Sequence, residues 1–161
     1  MVLSILIIPG ILSSAILDGW ACLYPESFNQ HFNQDQFIQI IIILNIVTFG
    51  LYLLLCIKSK FNFSAWWLSL FLFLPGLFLV VYSTYLLGRK GTFYGIELGT
   101  VENKKIDAFP FMLKFPQLKG LILMVLGVWC LFYPTFELTF VTCVYVVAIF
   151  AHILFETYKT N

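Results

Sequence analysis

Charged side chains are scarce. Asp, Glu, Lys and Arg make up 11% of the 161 residues against 61% hydrophobic, where an ordinary soluble domain carries roughly 25% charge. A chain this poor in charge cannot coat itself in water. Nine basic and eight acidic residues leave a net charge of +1, which disfavours a nucleic-acid binder, since phosphate recognition needs a basic field. Two isolated histidines disfavour a metal hydrolase, and no metal site is expected. The four cysteines include no CxxC pair, which argues against a zinc site and against a disulfide framework. Cys56, Cys130 and Cys143 fall inside apolar runs and Cys22 just after one, so they read as free thiols packed as small hydrophobes. There is no internal repeat, no low-complexity linker and no soluble domain, and the chain reads as one membrane-embedded domain over 1–161.

What is present is apolar sequence in long blocks, at 2–17, 37–57, 65–87, 121–133 and 138–155. A helix needs about 20 residues to cross the hydrocarbon core, so the second and third blocks are full spans. The first is short, is interrupted by Pro9-Gly10 and runs into Asp18; its length leaves crossing and dipping both open. It lacks a basic flank and is read as retained rather than as a cleaved leader. The fourth is too short for a comfortable crossing, and with Pro134 between it and the fifth the two read as a tight, partly sunken hairpin. The expected fold is all-α: a polytopic membrane bundle of four to five apolar helices with a C-terminal helical hairpin.

The stretch 88–120 carries Arg89, Lys90, Lys104, Lys105, Lys114 and Lys119, whereas the short loop after the second block has only Lys58 and Lys60, and 22–36 has neither Lys nor Arg. By the positive-inside rule the long loop faces the cytosol. If the last two blocks form a hairpin, the tail with Glu156 and Lys159 returns to the same face, where a composite site can form. Trp66, Trp67, Tyr82 and Tyr85 read as interfacial belt residues, and the Lys104-Lys105 pair as a topology signal and a contact for anionic lipid headgroups.

The segment GRKGTFYGIELG, 88–99, places Gly88, Gly91, Gly95 and Gly99 at spacings of three, four and four. On a helix continued past Leu87 they would fall within a stripe roughly 80° wide. Such a stripe serves either close packing of another helix or a ligand pressed against backbone, and spacing alone does not choose. It is not the dinucleotide-binding fingerprint, because no strand precedes it.

The pieces LGRKGTFYG (87–95), FPF (109–111), PQLKG (116–120) and FE (155–156) follow one another in the chain. In this order and spacing the C-terminal half, 86–156, resembles the phosphatidylethanolamine N-methyltransferase family of small integral membrane enzymes. It departs from that family's pattern at Phe115-Pro116-Gln117-Leu118, where a polar residue usually precedes the proline and Met-Tyr follows it. It departs again at Glu156-Thr157, where many relatives carry paired glutamates.

The resemblance implies methyl transfer from S-adenosylmethionine to the headgroup amine of a phospholipid, phosphatidylethanolamine or its mono- and dimethyl forms towards phosphatidylcholine. Membrane lipids are the expected partners, a homo-oligomer is a further one, and in a eukaryote the location would be the endoplasmic reticulum membrane. Glu156 would pair with the donor's α-ammonium, while Gly88, Gly91, Thr92 and Gly95 admit and bond the rest of it. Phe93, Tyr94, Phe109 and Phe111 would wall the growing methylammonium through cation–π contacts. His152, one turn before Glu156 on the same face, would orient it or relay a proton. Glu97 and Asp107 are second-choice acids for the acceptor amine, and Asp18 marks the end of the first block. Two alternatives stand beside this reading: carboxyl methylation of an isoprenylated cysteine, and a non-catalytic membrane relative.

Overall fold

A computed structural model describes residues 2–102 and 109–160, with backbone alone for Val2, Lys159 and Thr160. Lys104, Lys105 and Asp107 lie outside the described residues. The elements are α1 (Val2–Leu23), α2 (Pro25–Asn29), α3 (Gln34–Ile57), a short 3-10 turn (Phe63–Ala65), α4 (Trp66–Thr92), α5 (Pro116–Cys130) and α6 (Phe136–Thr160). Among the described residues four helical stretches are long and apolar enough to cross a membrane: Leu3–Leu23, Gln34–Ile57, Phe63–Thr92 and Phe136–Tyr158. The fold is an all-α membrane helical bundle.

The first block is the one whose length was open. It forms a single helix of 22 residues that continues through Pro9 and past Asp18 to Leu23. At 1.5 Å per residue that is about 33 Å, enough for the roughly 30 Å hydrocarbon core. A membrane helix tolerates the hydrogen bond lost at proline where neighbouring helices support the backbone, and α3 does so here. A side chain on Gly10 would collide with Thr48, and Ser14 Oγ donates to Asn45 Oδ1 at 3.0 Å. At 15 residues, α5 reaches only about 22 Å and is the short arm of the hairpin.

Small-residue packing is real in this protein, and it joins α4 to α5. A Cβ on Gly76 would lie 2.6 Å from the Gly120 carbonyl oxygen, one on Gly120 2.7 Å from the Gly76 oxygen, and one on Gly127 2.9 Å from the Phe73 nitrogen. The two backbones touch where most helices keep side chains between them. The 88–99 glycines are arranged differently from the continuous stripe expected of them. Gly88 adopts φ 70°, ψ 170° and breaks α4, a conformation open to glycine because it has no Cβ. After Thr92 the chain leaves the helix, with Tyr94 and Gly99 at φ 55° and 72°. No single helix therefore carries all four.

One end of the bundle is closed by turn-to-turn bonds: Asn62 N donates to Leu131 O at 2.9 Å and Tyr133 N to Lys60 O at 2.8 Å. The central core gathers Ile7, Ile11, Tyr52, Leu55, Val125 and Val141 from α1, α3, α5 and α6, with Tyr52 Oη bonded to Thr142 Oγ1 at 2.8 Å. At the opposite end a second apolar cluster joins Ala21, Cys22, Phe28, Phe37, Tyr94 and Leu98. There the glycine-containing loop meets the C-terminal ends of α1 and α6.

Candidate functional site

The loop after α4 is held from below by a buried amide. Gln34, 5% exposed at the start of α3, donates from Nε2 to the carbonyls of Lys90 at 2.9 Å and Phe93 at 3.1 Å, and its Oε1 accepts from Thr100 Oγ1. Both halves of the amide are satisfied, as burial requires. Asn29 Nδ2 adds a bond to Leu98 O at 3.4 Å, and Lys90 pairs with Asp35 at 3.9 Å on the surface. Within the loop the Gly95 amide donates to Lys90 O at 2.9 Å, and the amides of Thr100 and Val101 return to Gly95 O at 2.8 and 2.9 Å. A Cβ on Gly95 would stand 2.5 Å from Lys90 O, so this glycine makes the loop's own fold possible. Among the described residues a Cβ on Gly91 would meet only Leu87 Cβ, at 3.3 Å, and one on Gly88 would meet nothing within 4 Å.

This scaffold presents Tyr94, 7% exposed, to α6. Its ring stacks on His152 with centroids 5.6 Å apart and 16° between planes, and its hydroxyl donates to Glu156 Oε1 at 3.4 Å. His152 Nε2 lies 3.7 Å from the same Glu156 oxygen, one helical turn away on the same face. On the other side of the imidazole, Nδ1 lies 3.7 Å from Asp18 Oδ2. The side chains of His152, Asp18 and Glu156 are 14%, 13% and 28% exposed. His152 Nε2 is buried without a hydrogen-bond partner among the described residues, while Glu97 lies within electrostatic reach of Glu156.

The result is one imidazole between two carboxylates, roofed by a tyrosine, with a third carboxylate close by. Ionisable groups packed together between apolar helices are costly and mark function by default. The arrangement can hold a cation through its carboxylates and can take up a proton at His152 Nε2.

The expected site residues therefore separate into groups. Glu156, His152 and Tyr94 come together, and Phe93 packs beside them against the second apolar cluster. Thr92 belongs to a different polar node: its hydroxyl donates to Gly88 O at 2.9 Å and accepts from Gln117 Nε2 at 3.4 Å, while Gln117 also donates to Thr84 Oγ1 at 3.0 Å. Gln117, at the Phe115-Pro116-Gln117-Leu118 departure, is thus a tie between α5 and the broken end of α4. Phe109 stacks on Phe78 and Tyr82 of α4 at 6.2 and 6.4 Å, so its ring partners differ from those of Tyr94. Phe111 is half-buried. Thr157, at the second-glutamate position, donates its hydroxyl to Ile153 O of its own helix at 2.7 Å.

Asp18 is the residue whose expected place changes most. Rather than ending the first block it sits inside α1 and faces His152, because the helix runs on to Leu23. Gln34 and Thr84 had no sequence signal beyond being polar within or beside apolar runs. For Asp18 a signal existed, an acid interrupting an apolar helix.

A family model described as phospholipid methyltransferase matches residues 64–161. No curated protein and no solved structure matches the chain at a significant level. The match covers α4, α5, α6 and the loop, whereas Asp18, Asn29 and Gln34 lie in the preceding helices.

Proposed function

Because the chain belongs to the phospholipid methyltransferase family, we propose that it transfers a methyl group from S-adenosylmethionine to the headgroup amine of a phospholipid, at a site built on Asp18, Tyr94, His152 and Glu156. The observation that carries this reading is the meeting of Tyr94 with Glu156 and of His152 with both carboxylates. The site lies at the end of the bundle that carries Arg89 and Lys90, the end the positive-inside rule assigns to the cytosol.

The residues present fit the donor. A half-buried carboxylate, an aromatic ring and an unbonded imidazole nitrogen suit a ligand with an α-ammonium and a second cationic centre. When bound, S-adenosylmethionine supplies a methyl group on a cationic sulfur. Glu156 would hold the ammonium, and the ring of the partly buried Phe93 would stabilise a neighbouring positive charge by cation–π attraction worth roughly 0.5–2 kcal/mol.

The acceptor amine needs a free lone pair, so its proton has to leave. His152 Nε2, lacking a hydrogen-bond partner, is the atom able to receive it, and Asp18 beside Nδ1 stabilises the imidazolium so formed. Helix packing buries most of this group, and holding two reactants in line supplies much of the acceleration. Gln34 acts at one remove by fixing the loop that carries Tyr94.

Purified protein in vesicles of phosphatidylethanolamine, given methyl-labelled S-adenosylmethionine, is expected to yield labelled mono-, di- or trimethylated lipid, and the product distribution identifies the step. Label appearing instead as a base-labile ester on an added prenylcysteine would favour the carboxyl-methylating branch. Donor binding with no transfer to either acceptor would favour the non-catalytic relative.

A further inference from the structure

Beside the polar group, on the outward side of the α1–α6 contact, runs a groove with a cavity volume of about 660 Å³. Leu12, Ala15 and Gly19 of α1 and Val147, Ala148 and Ala151 of α6 form its walls. We infer that this groove seats one acyl chain of the acceptor phospholipid and thereby delivers the headgroup amine to His152 and Asp18. The inference rests on the phospholipid acceptor proposed above.

Three observations carry it. The first is length: the α1 side of the groove extends from Leu12 to Tyr24, roughly 18 Å at 1.5 Å per residue. That is a little over half of the ~30 Å hydrocarbon core, the depth of one leaflet and of one lipid tail. The second is its upper end. Trp20 and Tyr24 line it there, the residue types that sit at headgroup level, and Tyr24 is 65% exposed.

The third is what adjoins that end. Gly19, Ala151 and Phe155 of the groove are the immediate chain neighbours of Asp18, His152 and Glu156. A Cβ on Gly19 would lie 3.1 Å from Phe155 Cε2, so the aromatic ring rests on the glycine where groove and polar group adjoin. An apolar channel ending beside Asp18 and His152 is complementary to an amphiphile with an apolar tail and an amine head.

The test uses the full-length protein in mixed micelles. A phosphatidylethanolamine bearing a photoactivatable diazirine in one tail is expected to label the α1 and α6 walls of the wild type, around Ala15 and Val147. The bulky substitutions Ala15→Trp and Val147→Trp should each abolish that labelling and raise the apparent KM for the lipid at least tenfold. Their Kd for S-adenosylmethionine should stay within twofold. Ile46→Trp, on the exposed face of α3, should change none of these. Labelling confined to other helices, or wild-type KM in both groove-filled variants, overturns the inference. So does a change in cross-linked oligomer with KM unaltered, which would assign the groove to a second copy. Should the wild type take the photolabel in the groove yet methylate no lipid, the tail site stands and the proposed reaction falls.

Discussion

Glu156→Gln is expected to weaken S-adenosylmethionine binding by about 30-fold or more while leaving the protein folded. Truncating one member of a desolvated charge pair typically costs roughly 2–5 kcal/mol, and each 1.4 kcal/mol is a factor of ten. The glutamine keeps the shape of the side chain, and Tyr94 Oη still finds an oxygen where it now finds Oε1. Folding should not suffer, because Asp18 and Glu97 lie within electrostatic reach of Glu156 and removing its charge relieves the repulsion with each in the ligand-free protein. Equilibrium binding of labelled donor to detergent-solubilised protein measures the loss, and size-exclusion elution verifies the fold. Affinity for the lipid acceptor should change little, since its amine approaches from the far side of the methyl group. Wild-type donor affinity in the variant would reduce Glu156 to an interfacial carboxylate.

Gly120→Leu should do the opposite: it should disrupt the fold at the α4–α5 contact. Even the first atom of the new side chain would stand 2.7 Å from the Gly76 carbonyl oxygen, 2.9 Å from Val80 Cγ2 and 3.1 Å from Leu79 Cβ. A flexible side chain could yield, but backbone oxygen on a packed helix cannot without moving α4 away from α5. Overpacking usually costs about 1–3 kcal/mol, and this substitution should lie at or beyond the upper end. The expected result is a large loss of monodisperse protein after extraction and a lowered thermal midpoint. Gly50→Leu is the matched control, because a Cβ there meets nothing within 4 Å. Equal stability of the two variants would mean that α4 and α5 are not held by direct backbone contact.

The contrast between these glycines marks what a sequence reveals. The apolar blocks at 37–57, 65–87 and 138–155 foretold α3, α4 and α6 closely, since the length of a membrane span is a property of composition. The pair His152 and Glu156 was legible too, because a spacing of four puts two residues on one face of any helix. Gly88, Gly91, Gly95 and Gly99 have the spacing of a packing stripe, yet the positive φ of Gly88 removes the helix that spacing presupposes. Gly76, Gly120 and Gly127 perform that packing, and their match is between separate segments, which periodicity within one segment does not report. Gln34 stayed unread for the same reason, and Asp18, legible as an acid at the end of an apolar block, did not declare His152 as its partner. Each acts on a partner far along the chain, and both lie before the stretch on which the family resemblance rests.

The proposed donor site joins the loop carrying Tyr94, the end of α6 carrying His152 and Glu156, and Asp18 of α1. Ultraviolet cross-linking of methyl-labelled S-adenosylmethionine to the purified protein, followed by peptide mapping, addresses it most directly. The expected result is label in the peptide containing Tyr94, or in that containing His152 and Glu156, lost in Glu156→Gln and competed away by unlabelled donor. Specific label confined to peptides of the 58–66 turn at the opposite end of the bundle, or no competable label at saturating donor, would contradict it.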